Sequence, residues 1–261
     1  MDYKDRSGVL VGVGIVLLVI GAGAAFLGPV ELYSFYLFSE GGRFHYEGFG
    51  FGSFMFANIA VQAGGYYMIA MLLIPLGYGH VRVRRWARTL TEALLWSWVV
   101  LGVPLVIVAF FMLTSVKDLS LAAGIVAAIL LVLSYAAVPW VSIRFYRGRN
   151  VRLTFEGRDE KTYWTERVPV PVLVLCTLYA LYILALHVPI LLNGIVPFFG
   201  MYLQELQGIL VLTLLILSLV VLLVGMVGRR TWAWWGGLAL LCLAAVSLVV
   251  TLVPSSYAEM L

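Results

Sequence analysis

Residues 206–227 read LQGILVLTLLILSLVVLLVGMV, a run without any ionisable side chain, and this stretch decides the fold. A bilayer core about 30 Å thick is crossed by an α-helix of about 20 apolar residues. The run therefore has the length and composition of a transmembrane helix. The residues that follow, Gly228-Arg-Arg-Thr-Trp-Ala-Trp-Trp235, combine arginine with tryptophan, as is typical of a membrane–water interface.

Six further stretches of the same kind occur along the 261 residues. The seven predicted spans are roughly 8–28, 54–76, 91–113, 119–143, 171–192, 206–227 and 231–253. The chain is 63% hydrophobic and 11% charged, whereas soluble domains are about 45–50% apolar and about 25% charged. The sequence thus predicts an all-α polytopic membrane bundle that forms one transmembrane domain over residues 1–261. Residues 144–170 are predicted to form its only sizeable cytoplasmic loop.

The distribution of basic residues predicts the orientation of this bundle. Fifteen of the 17 basic residues precede the first span or lie in alternate connections. They are Lys4 and Arg6; Arg82, Arg84, Arg85 and Arg88; Arg144, Arg147, Arg149, Arg152, Arg158, Lys161 and Arg167; and Arg229 with Arg230. The other connections hold only Arg43 and Lys117. Because arginine and lysine are enriched on the cytoplasmic side, the N-terminus is predicted inside and the C-terminus outside.

The basic turns also predict that the protein contacts anionic lipids. Anionic lipid headgroups attract such residues near the membrane surface, so we expect Arg82, Arg84, Arg85, Arg88, Arg229 and Arg230 to contact them. The formal charge of +4 is too small to indicate nucleic-acid binding.

One alternative concerns residues 1–25, whose short apolar run also fits a cleaved signal peptide. Asp2, Asp5 and the apolar character that continues to Phe38 favour a retained span instead.

Two segments carry a resemblance to known proteins. They are the opening Tyr3-Lys-Asp-Arg6 and the loop Val151-Arg-x-Thr-x-Glu-x-Arg-Asp159 with Trp164-Thr-x-Arg167-x-Pro-x-Pro-Val-Leu173. In these segments the chain resembles a group of multi-pass bacterial membrane proteins that has no assigned function. The resemblance implies a bacterial inner-membrane location and transfers no activity.

Three local features yield further expectations. The helix of the first span is expected to continue past Pro29 with a kink. Residues 33–56 contain ten aromatics among glycines and are expected at the outer interface, either as an anchor or as a lid over an external cavity. Residues 150–156 alternate in hydrophobicity like a strand, and Gly157-Arg-Asp159 resembles a turn. A compact hairpin is therefore predicted there.

The sequence lacks the patterns of the common intramembrane chemistries. Span seven has no lysine for a retinal Schiff base, and no aspartate for proteolysis lies within any span. The three histidines do not form a pair deep in the membrane, and Cys176 and Cys242 have the positions of small apolar side chains. We therefore predict no catalytic residue, no metal and no cofactor.

Few polar residues remain as site candidates. Glu92 is expected to form an interfacial ion pair with Arg88 at i−4. A second group falls at the outer ends of the spans: Glu31, Asn58, Gln62, His187, Asn193 and Glu205. If the outer ends of the spans converge, these residues form an outward-facing polar pocket. If the ends do not converge, the residues are solvated at the membrane–water interface.

Two function classes stay open from the sequence. The first is a non-enzymatic accessory, scaffold or self-associating bundle, acting as a homo-oligomer or within a membrane protein complex. The second is a transporter or channel for a small or lipophilic solute that uses the outer pocket, with helices broken near Pro29, Pro104 and Pro189.

Overall fold

The computed structural model describes residues 3–39, 41–115 and 121–252, most of which are helical. In chain order the elements are α1 (Ser7–Phe38), α2 (Phe54–Val81), α3 (Arg85–Ser115), α4 (Leu121–Val132), a π-helical turn (Leu133–Ala137), α5 (Val138–Arg147), α6 (Arg149–Arg158), α7 (Trp164–Arg167), α8 (Val170–Ala185), α9 (His187–Leu191), β1 (Val196–Phe198), β2 (Met201–Leu203), α10 (Glu205–Val227) and α11 (Thr231–Leu252).

Within the described residues, seven helical stretches are long and apolar enough to cross a membrane. They are Ser7–Phe38, Phe54–Val81, Arg85–Leu113, Ala122–Arg147, Val170–Leu191, Glu205–Val227 and Thr231–Thr251, and each overlaps one predicted span. The all-helical class is thereby confirmed, as is the number of helices that are long and apolar enough to span a membrane. Lys117 and the predicted span residues 119–120 and 253 lie outside the described residues.

The helix α1 continues through Pro29 to Phe38, well beyond the predicted end of the first span. A proline inside a helix removes one backbone hydrogen bond, which membrane helices tolerate where neighbouring groups compensate. The prediction that the chain would stay helical past Pro29 is confirmed. The helix breaks predicted near Pro29 and Pro104 for a transporter are wrong, because α3 likewise continues through Pro104.

The described residues form two compact units. The first contains residues 3–18, 75–115 and 121–177, and the second contains 19–39, 41–74 and 178–252. In the first unit α3 packs against α5 and the π-helical turn. That turn places Tyr135 against Gly102, and the Tyr135 ring meets the Trp98 ring edge-on at 6.4 Å between centroids.

Glycines bring α1 and α2 together within the first unit. A Cβ on Gly14 would lie 2.7 Å from the Val81 nitrogen, and a Cβ on Gly77 would lie 2.8 Å from the Gly14 carbonyl oxygen. Such backbone contact requires residues without side chains, which is a common packing device in membranes.

Residues 149–158 form the helix α6, so the predicted strand and hairpin at 150–159 are wrong. The buried side chains of this segment are Val151, Thr154 and Phe155, at the i, i+3 and i+4 positions of one helical face. Val151 and Phe155 join a core with Leu10, Val83 and Tyr146. Leu10 and Val83 of this core are far from α6 in sequence. Packing against them favours a helix over the strand that the alternating sequence pattern indicates.

The second unit holds an aromatic cluster where α1 ends and α2 begins. The Phe35 ring meets the Phe49 ring at 5.1 Å and the Phe56 ring at 5.4 Å between centroids. A short antiparallel hairpin, β1–β2, packs on α11 in the same unit. There the Ser247 hydroxyl accepts a bond from the Phe199 nitrogen at 3.0 Å, and the Thr251 hydroxyl accepts one from the Gly200 nitrogen at 2.9 Å.

The two short basic turns share one local geometry. In the α2–α3 turn Arg84 N–H donates to the Gly79 carbonyl at 2.7 Å, and in the α10–α11 turn Arg230 N–H donates to the Gly225 carbonyl at 2.9 Å. The residue before each arginine is left-handed, with φ +48° at Val83 and +54° at Arg229. A tryptophan two residues after each arginine then packs over the glycine, Trp86 over Gly79 and Trp232 over Gly225.

Candidate functional site

A polar assembly of the first unit surrounds the connection between α5 and α8. We call residues 148–169, which contain α6 and α7, the central connection. It contacts the N-terminal residues, the α2–α3 turn and the start of α3 through buried polar side chains.

The His80 side chain is fully enclosed and bonded through both ring nitrogens. Nδ1 lies 2.8 Å from the Leu76 carbonyl, which can only accept, so Nδ1 carries a proton. In the neutral ring Nε2 is then an acceptor, and the Tyr146 hydroxyl donates to it at 2.7 Å. The Phe155 ring of α6 completes the enclosure edge-on at 5.9 Å between centroids. The pair thereby connects α2, α5 and α6.

The Asp159 carboxylate links the end of α6 to the start of α3 through hydrogen bonds. It is almost fully buried and accepts hydrogen bonds from the Arg85 nitrogen at 3.1 Å and the Lys161 nitrogen at 3.3 Å, with Arg84 Nη1 at 3.3 Å. Burial alone would raise the pKa of Asp159. The hydrogen bonds from Arg85, Lys161 and Tyr163 and the charge of Arg84 outweigh that effect and hold this pKa below its ordinary value.

A second ion pair lies beside Asp159. Arg85 Nε donates to Glu166 Oε1 of α7 at 2.9 Å, while the other carboxylate oxygen of Glu166 accepts from the Tyr163 nitrogen at 3.3 Å. Two of the arginines predicted to contact lipid headgroups, Arg84 and Arg85, therefore face carboxylates of the central connection. Arg82 and both arginines of the α10–α11 turn are exposed, and Arg88 is half-buried.

The N-terminal residues are held by α6. The Arg6 nitrogen donates to the buried Thr154 hydroxyl at 3.1 Å, and that hydroxyl in turn donates to the Asn150 carbonyl at 2.7 Å. Arg158 Nη2 lies 2.9 Å from Asp5 Oδ2. The hydrogen bond from the Ser7 nitrogen, and then the bond from Arg158, lower the pKa of Asp5.

Glu92 forms its ion pair with Arg147 of α5 and not with Arg88, the partner predicted from sequence. Arg147 Nε lies 3.2 Å from Glu92 Oε1. Only 8% of the Glu92 side chain is exposed, against 64% for Arg147. The i−4 spacing to Arg88 reflects only neighbours on the same helix. The packing of α3 against α5 brings Arg147 to Glu92 instead.

The six residues of the predicted outer pocket all lie in the second unit, and the described contacts place them in separate groups. Gln62 donates to Asn58 one turn away on α2, and His187 Nδ1 donates to the Ile183 carbonyl at 2.8 Å. Glu31 is half-buried on α1. Asn193 and Glu205 do meet, because the Glu205 nitrogen donates to the Asn193 carbonyl at 2.7 Å.

The aromatic segment also reaches this Asn193–Glu205 contact. A Cβ on Gly52 would lie 3.3 Å from the Asn193 Cβ. Asn193 and Glu205 both adopt left-handed backbone conformations, with φ +64° and +53°. Such conformations are uncommon for residues with side chains and are held only by their surroundings. The sequence predicts both residues at the outer ends of the spans but carries no signal for their backbone geometry.

Comparison of the chain with models of protein families, with curated proteins and with solved structures yields no match.

Proposed function

We propose that the chain is a non-enzymatic membrane protein, an accessory, scaffold or self-associating bundle of a bacterial inner membrane. Its central connection and N-terminus face the cytoplasm in this proposal, and its C-terminus faces outward. The distribution of the basic residues supports this orientation.

One observation carries the proposal: among the described residues, several polar side chains of the membrane-length helices donate a hydrogen bond within their own helix, while His80 and Glu92 pair with other helices of the protein. Ser97, Thr177, Thr213, Ser218 and Thr251 each donate to the carbonyl four residues earlier. His187 does the same, and Gln62 pairs with Asn58. Side chains that are committed in this way are poorly placed to bind a polar solute or to perform proton transfer.

The ionisable residues are concentrated elsewhere, in the polar assembly around the central connection. Asp159 and Glu166 pair with Arg84 and Arg85 and thereby anchor the ends of α6 and α7 near the start of α3. A further pair, Arg147 with Glu92, joins α5 to α3. A structured surface of this kind supports a role in binding other proteins, because a preorganised surface loses little conformational entropy when it binds.

The test substitutes Glu31, His187 and Glu205 singly by alanine. For a scaffold we expect unchanged assembly in mild detergent, since these side chains are half-buried or exposed and serve no transport step. A loss of solute flux at unchanged folded protein would contradict the proposal.

A second candidate, a transporter or channel for a small or lipophilic solute, is favoured by a specific feature of the second unit. The helix is interrupted at Leu186 between α8 and α9, and the left-handed Asn193 and Glu205 follow it. Interrupted helices line substrate sites in many transporters. Reconstitution in vesicles separates the candidates: a transporter gives solute uptake that Glu205→Gln abolishes, and a scaffold gives none.

A further inference from the structure

Two grooves of the first unit meet at the same pair of side chains, Trp96 and Arg147. One groove, of about 420 Å³, also contains Glu92, Val100 and Val174. It continues over Leu175 of α8. The other, of about 360 Å³, lies between Trp96 and Trp140 and also contains Arg144.

The end of the grooves near Arg147 is positively charged. Arg147 uses Nε to bind Glu92, and its largely exposed guanidinium has further N–H groups on the two terminal nitrogens. The Arg144 guanidinium lies over the Trp140 ring at 5.8 Å from the centroid. Two arginines against one carboxylate leave this end with a net positive charge. Arg147 also borders an adjoining cavity of about 600 Å³ with Arg149 and Arg152.

The other end of the larger groove is apolar. Val100 follows Glu92 by eight residues, which is about 12 Å along a helix that rises 1.5 Å per residue. Val174 and Leu175 form the facing wall. Trp96 and Trp140 lie between the charged and apolar parts, with their rings edge-on at 6.3 Å between centroids. Tryptophan prefers this position at the level of the lipid headgroups.

We propose that these grooves bind one anionic phospholipid molecule, with its phosphate at Arg144 and Arg147 and an acyl chain along Val100, Val174 and Leu175. The ligand must be an amphiphile because the site pairs cationic side chains with an apolar channel of about 12 Å. A free phosphate would leave the apolar walls unused. The site goes beyond the proposed function and does not depend on it.

The experiment is native mass spectrometry of the full chain in detergent, titrated with phosphatidylglycerol or with phosphatidylcholine of the same chain length. We expect phosphatidylglycerol to bind more tightly, with one molecule retained. Each arginine near the surface contributes about 1 kcal/mol, so Arg144→Gln should weaken binding about 5-fold and Arg144→Gln with Arg147→Gln about 30-fold. The matched control, Arg229→Gln with Arg230→Gln, removes the same charge from another turn and should change binding less than about 2-fold.

Because Arg147→Gln leaves Glu92 unpaired and can disturb folding, a further variant keeps every charge. Val100→Trp fills the apolar channel and should weaken the binding of long-chain phosphatidylglycerol while leaving a short-chain analogue unaffected. Equal binding of the two lipids, binding by Arg144→Gln that equals wild type, or indifference to Val100→Trp would each overturn the site. Full competition by the free headgroup glycerophosphoglycerol would likewise overturn it, because the apolar channel would then be unused.

Discussion

The His80–Tyr146 hydrogen bond joins two helices inside a core from which water is excluded. Tyr146→Phe keeps the ring and removes the hydroxyl that donates to His80 Nε2. A buried polar group left without a partner costs about 1–3 kcal/mol, so we expect the free energy of unfolding to fall by that amount. Chemical denaturation in detergent measures it. Tyr78→Phe is the control, since Tyr78 lies two residues from His80 and is 52% exposed. Equal stability of both variants would contradict the structural role of the pair.

The lowered pKa of Asp159 gives a pH dependence with a definite sign. A carboxyl with a native pKa below its unfolded value stabilises the folded state fully above about pH 4, and the contribution is lost as pH falls through the native pKa. We expect proteolysis within residues 149–167 to accelerate only in that acidic range. Asp159→Asn should be cleaved readily at neutral pH as well.

The control for this pH experiment is Glu160→Gln, which removes an exposed neighbouring carboxylate. It should follow the wild-type profile. Resistance of Asp159→Asn at neutral pH would show that the bonds to Arg85 and Lys161 do not hold the central connection in place.

At the scale of elements, the helical form of α6 can be tested against the strand that its sequence pattern indicates. Phe155→Ala empties a fully buried position and should cost about 3–5 kcal/mol of unfolding free energy. Leu153→Ala should cost much less, because Leu153 is only half-buried beside the helical face. In a strand Leu153 and Phe155 would share one face, so comparable losses at both positions in denaturation experiments would contradict the helix.

The contact between α1 and α2 depends on the absence of a side chain at Gly14. An added Cβ would lie 2.7–2.9 Å from Val81, Gly77 and His80, so Gly14→Ala should lower the melting temperature in detergent. Gly12 is the matched control on the same helix, since a Cβ there meets nothing within 4 Å. Gly12→Ala should be neutral or stabilising, because alanine favours helix over glycine. Equal effects of the two substitutions would refute close packing at Gly14.

The elements that the sequence predicted well are those whose signal is local. Hydrophobic length alone located all seven membrane-length helices, because a bilayer demands about 20 apolar residues whatever surrounds them. The form of α6 and the partner of Glu92 depend on contacts between distant segments, with Leu10 in one case and Arg147 in the other. Asp159 carried no sequence signal as a site residue, since its burial arises only when α6 meets the start of α3.

At the scale of the whole molecule, the proposed topology requires the central connection and residues 41–53 to lie on opposite sides of a bilayer. The proposed orientation, with the basic connection in the cytoplasm, is supported by the distribution of arginine and lysine. Both segments contain an exposed glutamate suitable for replacement by cysteine, Glu160 and Glu47. The native Cys176 and Cys242 can be replaced by serine beforehand, since neither forms a disulfide.

Labelling of intact cells with a membrane-impermeant maleimide therefore tests on which side of the membrane each segment lies. We predict that Glu47→Cys reacts in intact cells and that Glu160→Cys reacts only after the membrane is opened. Reaction of Glu160→Cys in intact cells, or reaction of both cysteines from the same side, would contradict the proposed topology.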